Sequence, residues 1–184
     1  YIDKEIMKGD IAEAKLFNPD FIIANMHWGL EYERIPSREQ RELADWLMRQ
    51  GVDLVIGSHP HVVQPMELRR GKEGVPDRLV VYSLGNFISN MSREHTDGGV
   101  MVKVVLGRKG LRRYIASAQY SLIYSSRYKN EQGKEDIRVV PAASWSGKNQ
   151  NSSFSVDSAL IKYVNNTRLF LKGNNKEVEE YIFE

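Results

Sequence analysis

Within its first 56 residues the chain alternates helical and extended patterns, and this alternation restricts the fold more than any other feature. Residues 3 to 17 set Ile6, Met7, Ile11, Ala14 and Leu16 among charges at helical spacing. Asn18-Pro19-Asp20 ends that run with a turn. Asp20 to Met26 then reads as a short strand, with Phe21, Ile22, Ile23 and Ala24 buried on both faces. Ser37 and Gln40, three residues apart, form a capping-box pattern that opens a second helix. Leu43, Ala44, Leu47 and Met48 make its inner face, and Gly51 is its C-cap. Val52 to Ile56 is a second buried strand and Leu79 to Ser83 a third. Helix, strand, helix, strand is the order of an α/β fold, and strand–helix–strand is most simply a parallel crossover.

After residue 98 the pattern becomes β-rich. Gly99 to Leu106 and Tyr114 to Tyr124 read as strands joined by a hairpin turn over Gly107 to Gly110, and Asp136 to Pro141 as a further strand. The Tyr residues at 114, 120, 124 and 128 alternate along these strands and read as sheet packing. Trp145 to Ser155 is a Ser/Asn/Gly-rich loop. Ser155 and Asp157 are expected to cap a helix running to Leu171, ended by Gly173, with a second helix over Lys176 to Phe183. The 184 residues are thus expected to form one domain in three parts: α/β over 1–98, β-rich over 99–155, and C-terminal helices over 156–184.

Composition excludes several classes. No Cys is present, which removes disulfides and thiolate metal sites. The 26 Lys and Arg against 24 Asp and Glu are too evenly balanced to indicate nucleic acid as a partner. The longest apolar runs fall far short of a transmembrane segment. The chain opens on Tyr1 with no basic-then-apolar leader, so Tyr1 reads as a cut end rather than a native start.

The placement of histidine carries the chemistry. His27 directly follows the first strand, and His59 and His61 directly follow the second, in Gly57-Ser58-His59-Pro60-His61. Open parallel sheets bind ligands at the carboxyl ends of their strands. If the two strands are neighbours, three of the four His meet at one sheet edge, and Gly57 and Pro60 supply the bend that aims both rings of the pair into one pocket. Imidazole suits zinc, iron, manganese or nickel. The other reading is three rings that cap strand ends through hydrogen bonds. Glu31, four residues after His27, is either a ligand-orienting or substrate-touching group or a surface carboxylate. Trp28 is either a pocket wall or a packing residue, and Asn86 either a site residue at the third strand end or a turn former. His95 belongs to a polar surface loop.

Asn25-Met26-His27-Trp28-Gly29-Leu30-Glu31-Tyr32, then Gln40, then Gly51 to Pro65 with its Gly-Ser-His-Pro-His core, then Tyr82-Ser83-Leu84-Gly85-Asn86-Phe87, resemble the bacterial capsule-synthesis family associated with poly-γ-glutamate. That family belongs to the calcineurin-like metallophosphoesterase superfamily. The resemblance runs from about Ile11 to Ile88. It implies the C-terminal portion of a β-sandwich flanked by helices, with two divalent ions (manganese, iron or zinc) in the full-length parent. It further implies His27, His59 and His61 as metal ligands, while Trp28, Glu31 and Asn86 stay candidate substrate or supporting residues on their position alone. The superfamily's N-terminal half supplies further ligands, a bridging Asp and an acid His. No such motif is found here, since Gly9-Asp10 falls inside the first predicted helix. The expected role is metal-dependent phosphoester hydrolysis in capsule-polymer synthesis by the parent, with little or no activity in this chain alone. Expected partners are a phosphoester or an anionic polymer, with other capsule-synthesis proteins. A leader upstream of Tyr1 is expected to place the protein outside the cytoplasm or at the membrane. The competing readings are a non-catalytic assembly or export factor for an anionic envelope polymer, and a different His-based metal hydrolase.

Overall fold

A computed structural model describes residues 2–72, 77–143 and 158–182. Helix α1 (Lys4–Leu16) starts at Asp3, whose carboxylate accepts the backbone N–H groups of Glu5 and Ile6 and so satisfies two of the otherwise unpaired amides of the first turn. Strand β1 (Ile23–His27) follows, then helix α2 (Arg38–Gln50). The Ser37–Gln40 capping box forms with both of its hydrogen bonds, and Gly51 closes the helix at φ 102°. Strand β2 (Leu54–Ser58) lies parallel to β1, and strand β4 (Arg78–Val81) lies parallel to β2.

Strand β3 (Met66–Arg69), absent from the sequence-based expectation, adds antiparallel to β4 and completes a sheet of order β1-β2-β4-β3. The second sheet is antiparallel: β5 (Gly98–Lys109), β6 (Arg112–Lys129) and β7 (Glu135–Pro141). The β5–β6 turn is tighter than expected, because pairing continues to Lys109–Arg112 and leaves Gly110 and Leu111 at the tip.

Successive side chains of the parallel strands turn to opposite faces of a sheet that is covered on both. Leu54, Leu79 and Val81 turn to a core shared with Val100, Ile115 and Leu122 of the second sheet. Val55 and Val80 turn the other way, against Leu43, Ala44 and Leu47 of α2 and Ile11 of α1. Each fully buried aliphatic side chain contributes roughly 1.5–3 kcal/mol, so both faces of this sheet are strongly held. Asp77 joins the sheets: its carboxylate accepts N–H groups of Gly71 at 2.9 Å and Ile115 at 3.1 Å and pairs with Arg70.

Helix α3 (Ser158–Asn174) buries Leu160, Tyr163, Val164 and Leu171 in the core shared by the two sheets. The second C-terminal helix expected over Lys176 to Phe183 does not form in the described residues 176–182; Glu179–Glu180 make the short strand β8, parallel to β6. The backbone there is claimed by other elements. Lys176 exchanges hydrogen bonds with Met66 and Leu68, and Tyr181 N–H donates to the Tyr120 carbonyl. Arg168 fixes Glu180 at 2.8 Å. The loop expected over residues 145–155, with the caps at Ser155 and Asp157, lies outside the described residues. The fold is thus the expected mixed α/β arrangement of two sheets with flanking helices.

Candidate metal centre

The register of β1 on β2 builds the site. His27, last residue of β1, pairs with Ser58, last residue of β2, so His59 begins its loop beside His27. Their ring centroids are 4.5 Å apart. Two bonds close this end of the sheet: Trp28 N–H donates to the Ser58 carbonyl at 3.1 Å, and the Ser58 hydroxyl donates to the Met26 carbonyl at 3.2 Å.

The His-x-His loop is then turned sharply. His59 has φ 102° and His61 φ 61°, on either side of buried Pro60. Left-handed backbone at a non-glycine residue costs of order 1 kcal/mol or more and persists only where the surroundings impose it. Here the loop is clamped on both sides. Tyr32 N–H donates to the Pro60 carbonyl at 2.7 Å, and Gln64, fully buried, takes the Ser83 carbonyl, the Glu33 carbonyl and the Gln40 side chain. The result brings the two rings to 5.9 Å and directs Glu31 toward them. One ligand atom each from Glu31, His59 and His61 lies within 4.8 Å of the others, with His59 and His61 half-buried and Glu31 exposed. Around a tetrahedral ion with bonds of about 2.0–2.1 Å the donors stand about 3.3 Å apart, so a small closure of these side chains suffices.

Asn86 orients His61. Its amide nitrogen donates to the Thr96 carbonyl at 3.0 Å, so its oxygen faces His61 Nδ1 at 3.1 Å. That oxygen only accepts, which puts the proton of a neutral His61 ring on Nδ1 and the lone pair on Nε2. Nε2 lies 3.7 Å from the Glu31 carboxylate. Ligand histidines are commonly fixed in this way through their second nitrogen.

Of the residues singled out in the sequence, Glu31, His59 and His61 converge, His27 borders them, and Asn86 supports them. Trp28 is not brought into the cluster. It is buried, donates from Nε1 to the Tyr82 carbonyl at 2.8 Å and stacks on the Tyr82 ring. Asp10 lies inside α1 and lines, with His27, an open, largely apolar cleft of about 530 Å³ along β1. His95 stands apart from the converging ligands; burial, then Arg34, hold its ring below the usual histidine range. Tyr32 and Thr96 were not singled out, although Tyr32 sits directly after Glu31 in the same loop.

The donor set of two neutral imidazoles and one carboxylate, with a third imidazole alongside, fits one divalent cation. Two cations would set four positive charges against a single carboxylate and need anionic ligands from elsewhere.

Fold and site together define an α/β protein with a histidine-rich cluster at the carboxyl edge of a parallel sheet. Residues 2–91, just under half of the chain, match the family described as bacterial capsule synthesis protein PGA_cap. Every residue of the cluster, and Asn86, falls within the matched stretch. The PGA biosynthesis protein CapA of Bacillus subtilis (strain 168) is 35% identical over 112 residues, 61% of this chain and 28% of that protein. The capsule biosynthesis protein CapA of Bacillus anthracis is 35% identical over 107 residues, 58% of this chain and 24% of that protein. The matches therefore cover about a quarter of the length of these relatives. No helix among the described residues is long and apolar enough to cross a membrane.

Proposed function

We propose that this chain carries the histidine-rich part of a metal-dependent phosphoester-hydrolysing site in a protein of capsule-polymer synthesis, the polymer being poly-γ-glutamate or a similar polyanion. The observation that supports it is the parallel register that sets His27 beside His59, with His61 and Glu31 closing on the same point. Glu31, His59 and His61 would hold one divalent cation, with His27 at its border. When bound, such an ion supplies Lewis acidity toward a phosphoryl oxygen. The chain's own contribution is to hold the rings in place. Asn86 keeps His61 Nε2 turned toward the cluster, and the Gln40–Gln64 pair fixes the two loops that carry Glu31 and His61. A second ion and a proton donor to the leaving group would come from the rest of the complete protein, so turnover belongs to that protein and not to this chain alone.

Calorimetric titration of the 184-residue chain with Zn²⁺ and with Mn²⁺ tests this. One ion per chain is expected, lost on His59→Ala with His61→Ala. Unchanged binding in that double variant would overturn the site. A model phosphodiester turned over by the isolated chain, at a rate abolished by chelation, would overturn the division of labour. Polymer binding that survives the double variant, without metal uptake, would favour a non-catalytic assembly factor instead.

A further inference from the structure

Beside the converging ligands stands a cation that the metal site does not use. Arg93 lies in the loop between β4 and β5, just beyond the stretch that matches the family. Its guanidinium carbon sits 4.0 Å from the centre of the Tyr32 ring, and that ring is 6.0 Å from the His61 ring. Guanidinium and imidazole are therefore within about 10 Å of one another. That is too far for contact through Tyr32 alone, and near enough for one bound molecule to touch both.

The position of Arg93 is fixed by the same frame that fixes His61. The Arg93 carbonyl accepts the N–H of Thr96 at 3.2 Å and its hydroxyl at 2.6 Å. Thr96 is fully buried, and its own carbonyl takes the Asn86 amide that orients His61. On the other side Tyr32, held at φ 69°, stacks on Arg93 and donates its N–H to Pro60 between the two histidines. His61, Asn86, Thr96, Arg93 and Tyr32 thus form a closed ring of contacts.

Within that ring the guanidinium spends its face on Tyr32 and keeps its N–H edge open. Among the described residues no carboxylate pairs with it; the adjacent Glu94 turns to His95 and Lys162 instead. A stacked guanidinium with an unpaired edge is a planar fork suited to two oxygens of one oxyanion. With a divalent ion held against its one carboxylate, the cluster beside it would carry net positive charge and draw the same kind of ligand.

We infer that Arg93, positioned by Tyr32 and Thr96, takes an oxyanion of the substrate next to the ion held at Glu31, His59 and His61. This rests on the metal-site reading and adds to it the charge class of the ligand and the residue that selects it. The oxyanion is a phosphoryl group or a carboxylate of a glutamate polymer.

The test titrates the full 184-residue chain, metal-free and zinc-loaded, with inorganic phosphate in one arm and a glutamate polymer in the other, followed by NMR at Arg93 Nε–H, Tyr32 and His61. Binding is expected to weaken about tenfold in Arg93→Ala and to recover in part in Arg93→Lys, with zinc stoichiometry unchanged in both. The arm that responds to Arg93 identifies the oxyanion. Equal affinities of wild type and Arg93→Ala in both arms would overturn the inference, as would loss of zinc in Arg93→Ala, which would make the residue structural. Failure of the wild type to take up zinc would defeat the metal site alone, and the metal-free titration would still decide the role of Arg93.

Discussion

In the parallel sheet β1 and β2 have five residues and β4 four, whereas β5 and β6 of the antiparallel sheet run to 12 and 18. Parallel strands must all finish at the same edge. The loops after β1, β2 and β4 therefore meet, and they bring His27, Glu31, His59, His61 and Asn86 together although 59 positions separate the first from the last. Antiparallel strands finish at alternate edges, and the turn between β5 and β6 is too short to carry a site. The second sheet gives the core breadth, while the first assembles the candidate site. Close packing should accordingly be strictest where the chemical edge is assembled and most forgiving at the hairpin tip.

Substitution of one glycine in each sheet tests this difference most directly. Gly57 crosses beneath the Trp28–Tyr82 hydrogen bond, and a Cβ there would run into the Tyr82 carbonyl and the Trp28 indole nitrogen, neither of which can yield. Gly57→Ala should lower unfolding free energy by about 3 kcal/mol or more in urea titration, as overpacking against rigid backbone does. A loss under 1 kcal/mol would mean that the sheet edge is softer than its geometry implies.

The joint between the sheets should show a smaller effect with a pH signature. Burial alone would raise the Asp77 carboxyl, but the N–H groups of Gly71 and Ile115 and the charge of Arg70 outweigh it and hold the group below the usual carboxylate range. As pH falls the unfolded chain therefore takes up this proton first. The stabilisation is fully present above the unfolded value of about 3.9 and is lost as pH drops through the lower, folded value. Asp77→Asn should lose about 2 kcal/mol at pH 7, from one mispaired buried acceptor and a broken ion pair, and the gap to wild type should shrink below about pH 4. A gap independent of pH would show that Asp77 acts by shape and not by charge.

At the hairpin tip the effect should be smallest. Gly110 has φ 61° but open space around its Cα, so Gly110→Ala meets only the left-handed backbone penalty, about 1 kcal/mol by thermal unfolding. If this variant proves as damaging as Gly57→Ala, the contrast between the two sheets collapses.

Much of the first sheet was readable beforehand because its signals are local. The Ser37–Gln40 box, Gly51 and the His at two strand ends sit where short-range chemistry alone would put them. Strand β3 was not readable: Met66-Glu67-Leu68-Arg69 is half charged, and the buried Glu67 is paired by Arg69 of its own strand and by Arg41 and Lys176 from distant parts of the chain. Strand β8 was misread as a helix because the Glu-rich stretch 176–183 has helical composition, while its backbone partners lie more than 50 residues upstream. Within the site the three histidines were visible from spacing. The convergence of Glu31 depends on how the loop after β1 folds back on Pro60, and the link from Asn86 through Thr96 to Arg93 follows no sequence periodicity.

The left-handed turns at His59 and His61 set two demands on the sequence against each other. Glycine would adopt those dihedral angles without penalty and give a more stable loop with no imidazole in it. Histidine keeps the rings and leaves the loop permanently tense. The bent shape is thus already present before any ligand arrives, imposed by the tyrosine, glutamine and proline clamps around it, so a ligand would meet rings that need little reordering. Stability and readiness to bind are traded at these two positions, which are therefore poor targets for consensus-style stabilisation of the protein.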